Sequence, residues 1–406
     1  MTYAKLISVL GILALSSTLA CDSKSLGEEP TESSTGSGSG SGSGDDLLTA
    51  ESELVGQLPG ASFRHMAVRD DGSVIAAGLS GYQGVFGDLA VFEAHWIGAF
   101  GADGNLLWSE EIPFPINEFG EYEERELTSV SVGSDGSVLV SFVDYADFED
   151  SDNQVSKFAA DGTPLWATPL PSRPRAVAAT ADGGAIVGGL AISEDPNTVD
   201  AWAVRLDSLG AIVSTRTWTN EAGRNTTFDA ALATDEGLFL GGSWGTDPTS
   251  SVADAWFVRV DDDLQTENER RLPASGSTDG IRGLRVGEDG NIIAQTNLGG
   301  SAIVTLSPSG DVLSTELTSS DYVMWSPYAA TAYLGGERSN CLDEIGNPCG
   351  PSVFYGFEDG QSLWEASFAC NAITGLAVDA SESIVSLGCT GEGDTITAEL
   401  HRIVVN

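Results

Sequence analysis

From residue 61 onward, short apolar runs alternate with polar, glycine-bearing turns, and the alternation repeats along the chain. Each unit opens with an apolar strand, turns at Asp-Gly or a substitute, and returns in a second apolar strand that ends near Gly. The hairpins cover Met66–Gly78, Val130–Val140, Val177–Gly188, Ala231–Gly241, Leu284–Ala294, Tyr328–Gly335 and Leu376–Gly388. Gly72, Gly136, Gly183, Gly237 and Gly290 hold the turn position, where a tight hairpin needs positive φ. The sixth and seventh hairpins lose the Asp-Gly but keep the apolar pattern. A third strand follows after a variable loop. Asp200–Asp207 (DAWAVRLD) and Asp254–Asp261 (DAWFVRVD) are near copies. Period-two alternation puts Trp202, Val204 and Leu206 on one face, Trp256, Val258 and Val260 on the equivalent face, and Trp96 at the same place in the first unit.

A second turn and a fourth strand complete the unit, as in Asp103–Trp108 (DGNLLW), Asp161–Trp166 (DGTPLW) and Asp359–Trp364 (DGQSLW). These tryptophans read as docking points for an adjacent unit; a platform for a cofactor or sugar is the sharper alternative. No segment sustains helical periodicity with caps. Four strands per unit, a period of about fifty residues and seven units predict an all-β fold, a seven-bladed β-propeller of four-stranded blades. The seventh unit has a third strand around Thr395–Leu400, and the chain ends at Asn406. Glu53–Pro59 closes on Leu-Pro, as do the fourth strands Leu165–Pro171 and Glu269–Pro273. Residues 51–58 are therefore expected to close the ring as the outer strand of the seventh blade, with Leu54, Gln57 and Leu58 beside Thr397–Leu400. The competing expectation gives that strand to Arg402–Asn406.

The Asp-Gly-x-x-Leu-Trp turns resemble the PQQ-type repeat of quinoprotein-like propellers, and the whole unit is similar to degenerate propeller repeats of bacterial lipoproteins. The resemblance spans roughly residues 51–406 and implies a fold rather than an activity. Quinoprotein enzymes carry an adjacent-cysteine disulfide over their cofactor; this chain has no Cys-Cys, so the resemblance implies no quinone cofactor.

Residues 1–21 read as a signal segment: Lys5, an apolar stretch from Leu6 to Leu15, then small residues up to Ala20. That stretch is too short to span a bilayer as a helix. Thr18-Leu19-Ala20-Cys21 resembles the lipobox of bacterial lipoproteins, which implies lipidation (palmitate) at Cys21; simple cleavage after Ala20 is the alternative. Residues 22–46, ending in alternating Gly and Ser, behave as a flexible linker spanning roughly 25–30 Å. Residues 47–406 form the propeller domain. Export permits disulfides, and spacing pairs Cys341 with Cys349 and Cys370 with Cys389.

Charge then narrows the partners. Sixty acidic residues stand against 18 basic ones, a net charge of −42, with only Lys5, Lys24 and Lys157 as lysines. That excludes nucleic acid, whose phosphates need Lys and Arg, and disfavours electrostatic docking on anionic lipid. It gives an acidic, soluble surface. Asp144, Asp147, Glu149, Asp150 and Asp152 crowd one loop and Asp261–Asp263 another. Clustered carboxylates suit Ca²⁺, but the first loop lacks the glycine and terminal glutamate of an EF-hand, so a solvated acidic loop is favoured. The histidines His65, His95 and His401 have no neighbouring ligand motif, and no nucleophile elbow or Cys–His pair is present. The expectation is a monomeric, non-enzymatic binding or scaffold propeller on the cell envelope. It would be anchored in lipid through Cys21 at the outer membrane or cell surface, with an unknown protein or glycan ligand and no cofactor. A glycan-binding propeller, or a hydrolase or lyase with acidic residues at the propeller mouth, are the alternatives.

Overall fold

The computed structural model describes residues 48–86, 89–114, 125–144, 153–192, 198–220, 225–246, 252–272, 279–287, 289–296 and 302–317. Beyond these it describes the strands between 333 and 405. Five four-stranded antiparallel sheets follow one another along the chain. The first is Ser62–Val68, Val74–Ser80, Ala94–Phe100 and Leu106–Pro113; the second is Arg125–Val132, Val138–Asp144, Gln154–Phe158 and Pro164–Pro169. The third is Arg173–Ala179, Ala185–Ile192, Val199–Leu206 and Ile212–Trp218; the fourth is Thr226–Thr234, Gly237–Gly245, Ala253–Val260 and Thr266–Leu272. The fifth is Ile281–Val286, Ile292–Thr296, Ala302–Leu306 and Val312–Leu317. Strand order within each sheet is the order of the chain, so each is a meander. The first (inner) strands of consecutive sheets lie against one another, which gives the sheets the arrangement of β-propeller blades.

A short strand pair, Gly84–Phe86 with Leu89–Val91, interrupts the first sheet, and another joins Cys341–Leu342 to Pro348–Cys349. The remaining seven strands form one sheet, in the order Tyr333–Arg338, Ser352–Glu358, Gln361–Phe368, Leu48–Pro59, Thr395–Val405, Ile384–Glu392 and Ala372–Val378. The sixth hairpin was expected over 328–335. Tyr333–Arg338, which begins in the later part of that span, pairs with Ser352–Glu358 as a second strand pairs with a third, and residues 328–332 lie outside the described residues.

The strand Leu48–Pro59 runs antiparallel to Thr395–Val405, placing Leu54 opposite His401, Gln57 opposite Glu399 and Leu58 opposite Ala398. It meets Gln361–Phe368 over only two parallel pairs, Leu48 with Trp364 and Thr49 with Glu365. The alternative expectation for Arg402–Asn406 is corrected by the same register. Residues up to Val405 continue the third strand, because the β-branched run Ile403-Val-Val405 stays paired with the N-terminal strand.

The apolar core lies between sheets, since every strand alternates one face toward each neighbour. Trp202, Val204 and Leu206 pack on Leu139 and Val155 of the second sheet, while Trp256, Val258 and Val260 pack on Ile186 and Ala203 of the third. Trp96 takes the same place in the first sheet, where its cluster holds Phe63, Phe100, Ala398 and Leu400, with Val55 and Leu58 against it. The expected equivalence of the three tryptophans is thus present, and each faces the preceding sheet. Side chains such as Phe63, Phe228 and Phe257 are fully buried, and burying each stabilises the fold by roughly 1.5–3 kcal/mol.

The fourth-strand tryptophans lock the sheets together. Trp108 donates from Nε1 to the Ala160 carbonyl of the second sheet's last turn at 2.9 Å, and Trp166 to the Ser208 carbonyl of the third at 3.0 Å. Each ring lies over the turn glycine of the next sheet. A Cβ on Gly162 would come within 2.6 Å of the Trp108 ring, and one on Gly210 within 2.7 Å of Trp166. In the fourth sheet Asn268 takes this role, bonding the Ser309 carbonyl beside Gly310. The equivalent glycine of the first sheet, Gly104, lies on the N-terminal strand, where a Cβ would overlap the Val55 carbonyl oxygen.

Candidate functional site

The inner strands converge on a cavity of about 360 Å³, lined by five of them through residues such as Ala67, Ser131, Ala178, Leu232, Leu284 and Arg285. Among the described residues its lining contains no carboxylate and no aromatic ring; apart from Arg285 and the Ser131 hydroxyl it is aliphatic. Serines of the second inner strand cover part of the third strand's open edge. The Val177 amide donates to Ser129 Oγ and the Ala179 amide to Ser131 Oγ, at 3.3 and 3.1 Å.

At the opposite end, near where the inner strands begin, each carries a β-bulge at the same place. The register against the second strand slips between Phe63 and His65, Leu127 and Ser129, Pro174 and Ala176, Phe228 and Ala230, and Ile281 and Gly283. Ile373 and Gly375 show the same slip. The extra residues are Arg64, Thr128, Arg175, Asp229, Arg282 and Thr374. A bulge leaves one residue outside the ladder and re-aims its side chain. Three neighbouring sheets bring theirs together: Arg175 Nη1 donates to Asp229 Oδ1 at 2.9 Å, and Arg282 Nη1 to Asp229 Oδ2 at 3.2 Å. The Asp229 side chain is 8% exposed, whereas Arg175 and Arg282 are 43% and 47% exposed. Thr227 Oγ1 donates to Asp229 Oδ2 at 3.0 Å.

Charge on these strands departs from that of the chain. The six strands that carry this bulge hold six arginines (Arg64, Arg125, Arg173, Arg175, Arg282, Arg285) against two carboxylates, Glu126 and Asp229, in a chain of net charge −42.

A second hollow, about 390 Å³, lies at the turn end between the third and fourth sheets, lined among others by Asp182, Arg205, Asp235, Glu236, Arg259 and Asp261. Its cations are already engaged. Arg205 Nη2 donates to Asp182 Oδ2 at 2.6 Å, and its Nη1 also reaches the Leu206 carbonyl. Arg259 donates to the carbonyls of Glu236 and Pro308, the latter in the next sheet. Burial works to raise the Asp182 pKa, but hydrogen bonds from Thr180, Arg205 and the Gly184 amide outweigh it and hold the group at about 2. Lys157, in the equivalent strand position, bonds the Gly183 carbonyl of the third sheet at 2.7 Å. These third-strand cations tie turns together, as Arg69 does through the Ala160 carbonyl.

Other residues singled out in the sequence fall apart in space. His65 Nε2 lies 2.9 Å from the Leu127 carbonyl, and His95 packs edge-on to Phe114 and tilted against Phe142. His401 Nε2 lies 2.9 Å from Glu399 Oε2. Among the described residues no group of three or more His, Cys, Asp or Glu side chains is arranged to hold a metal ion. Of the acidic loop, Asp144 ends a strand, while Asp147, Asp150 and Asp152 lie outside the described residues, as does Cys21. Cys341 and Cys349 are direct partners across their strand pair. Cys389 stands opposite Ala372, two residues beyond Cys370, which lies outside the described residues. No described helix is long and apolar enough to cross a membrane.

The bulge residues went unnoticed in the sequence because they form no motif. Their signal is positional: Arg64, Thr128, Arg175, Asp229 and Arg282 each lie eight residues before the turn glycine of their unit.

No protein-family model matches the chain, and no curated protein matches it. Among solved structures it is similar to a protein of unknown function from Bacteroides caccae, at 12% identity, covering 72% of this chain and 93% of that one with a TM-score of 0.43. It is also similar to the WD40 β-propeller domain of Doa1, at 13% identity, covering 86% of this chain and 96% of that one with a TM-score of 0.49.

Proposed function

We propose that this chain is an exported, lipid-anchored β-propeller of seven blades that acts as a binding or scaffold module, with its contact face at the axial end marked by the bulges. The observation that carries the binding reading is the convergence of Arg175, Asp229 and Arg282 from three successive sheets onto that end. Capture of envelope components on the immobilised chain tests it. A specific partner is expected, lost when Arg175 and Arg282 are replaced by glutamine; recovery of no specific partner counts against a binding role.

Ring closure by residues 48–59 is supported by their pairing with Thr395–Val405, by Val55 and Leu58 packing into the Trp96 cluster, and by the seat of Gly104 on Val55. Removing residues 22–46 should leave the melting temperature nearly unchanged, and removing 22–58 should lower it sharply. Equal melting temperatures would sink the closure. The anchor rests on the lipobox resemblance at Cys21, and radiolabelled palmitate should enter the chain but not a Cys21→Ala variant. Disulfides Cys341–Cys349 and Cys370–Cys389 are proposed on spacing, with the direct register of the first two in support. Non-reducing peptide mapping that joined Cys349 to Cys370 would refute that connectivity.

A further inference from the structure

We propose that Arg175 and Arg282, held on Asp229, together with Arg64 at the equivalent bulge of the first sheet, form an anion-binding rim that takes an oxyanion of the ligand, carboxylate or phosphoryl. This rests on the reading of the axial end as the contact face, and it assigns the chemistry that face recognises.

The argument begins with what Asp229 leaves unused. A guanidinium carries five N–H donors in a planar fork that fits carboxylates and phosphates through two parallel bonds. Arg175 and Arg282 each give Asp229 a single contact through Nη1. Asp229, nearly buried and also bonded by Thr227, acts as the fixed point that holds two exposed guanidiniums one on each of its oxygens. Their remaining donors make no further bond among the described residues.

At the bulge positions themselves three arginines, Arg64, Arg175 and Arg282, stand against the single carboxylate Asp229. The chain as a whole is strongly acidic, so an anion is repelled from most of its surface and attracted locally where the Arg175 and Arg282 guanidiniums stand exposed. Arginine suits such a role better than lysine, because its fork is rigid and weakly hydrated. The bulge gives each side chain a way out of the ladder without disturbing the core-facing alternation on either side.

Calorimetric titration of the full chain with inorganic phosphate and with malonate, in 150 mM sodium chloride, tests the site. Saturable binding of at least one probe is expected. Arg175→Gln and Arg282→Gln should each weaken it at least tenfold, and Arg271→Gln on a fourth strand should leave it unchanged. Arg64→Gln, which breaks no pair with Asp229, should also weaken binding and guards against misfolding of the other two; melting curves check each variant. Binding of phosphate alone assigns a phosphoryl ligand, binding of malonate alone a carboxylate ligand, and binding of both the shared chemistry. Absence of binding by either probe at 20 mM overturns the proposal, as does wild-type affinity in all three rim variants. A partner captured equally well by wild type and rim variants overturns the anion rim yet leaves a binding module standing.

Discussion

Replacing Gly162 by alanine probes the joint between the first two sheets more selectively than any core truncation. Gly162 has φ of +86°, and Gly290, in a turn of the fifth sheet, has φ of +77°. Alanine at either position bears the left-handed strain, on the order of 1–2 kcal/mol, partly offset by a stiffer unfolded chain. The two sites differ in what the new Cβ meets. Nothing lies within 4 Å at Gly290, whereas at Gly162 the Trp108 ring is 2.6 Å away. Trp108 must then leave its rotamer, at roughly 0.5–1.5 kcal/mol, and give up its bond to Ala160, worth about 1 kcal/mol. Gly162→Ala should therefore destabilise by about 2 kcal/mol more than Gly290→Ala. Urea unfolding followed by tryptophan fluorescence measures the difference, and a double-mutant cycle with Trp108→Ala isolates its cause. With the ring removed, Gly162→Ala should cost no more than Gly290→Ala. If the two glycine variants unfold at the same urea concentration in the presence of Trp108, the tryptophan–turn lock is not what joins these sheets.

Three further outcomes are expected. Burial pulls the His65 pKa down from 6.5 to about 4, against the opposing bond to Leu127, so the unfolded chain takes up this proton first as pH falls. Stability should be complete above pH 6.5 and decline toward pH 4 by up to about 3 kcal/mol, a limb that His65→Asn should flatten in urea midpoints taken at pH 7 and pH 5. Gly104→Ala should destabilise the full chain strongly and, once residues 22–58 are deleted, cost no more than the left-handed strain borne at Gly290, since the nearest atoms its Cβ meets belong to Val55; additive losses in the two backgrounds would contradict that seat. With a net charge of −42, the melting temperature should rise in molar sodium chloride, and a larger rise in millimolar calcium at matched ionic strength would reveal a specific cation site instead.

Most of the architecture was legible because the turns are punctuated by residues with one physical meaning. Asp-Gly marks a hairpin twice over: the glycine supplies positive φ, and the aspartate caps the turn. Asp71 Oδ1 accepts the Ser73 amide, Asp135 that of Ser137, and Asp289 that of Asn291. The alternation of the third strands likewise fixed which side chains share a face, because a strand with both faces buried still divides its large side chains by period two. Legibility failed where that punctuation lapses. Around residues 328–335 there is no Asp-Gly, and apolar runs alone leave the bounds open: the described strand there, Tyr333–Arg338, runs three residues past Gly335.

The axial rim was illegible for a different reason. A binding residue usually declares itself by clustering in sequence, yet here its neighbours come from strands about fifty residues apart. Arg175, Asp229 and Arg282 meet only because each unit places its bulge at the same offset from the turn glycine. Read along the chain, Arg282 is one polar residue in an apolar strand, Ile281-Arg-Gly-Leu-Arg-Val286, and suggests a solvated edge. Read down the repeat, the position is Arg, Thr, Arg, Asp, Arg, between positions that are mostly apolar. Packing cannot account for that column, since the core-facing residues on either side fill the joints between sheets without it. In a repeat fold the sequence period supplies the core, and the column that departs from it is where one ring position can be charged without cost to the blades. The acidity of the rest of the chain sharpens the inference: with 18 basic residues in all, placing six on six inner strands concentrates positive charge about a single axis.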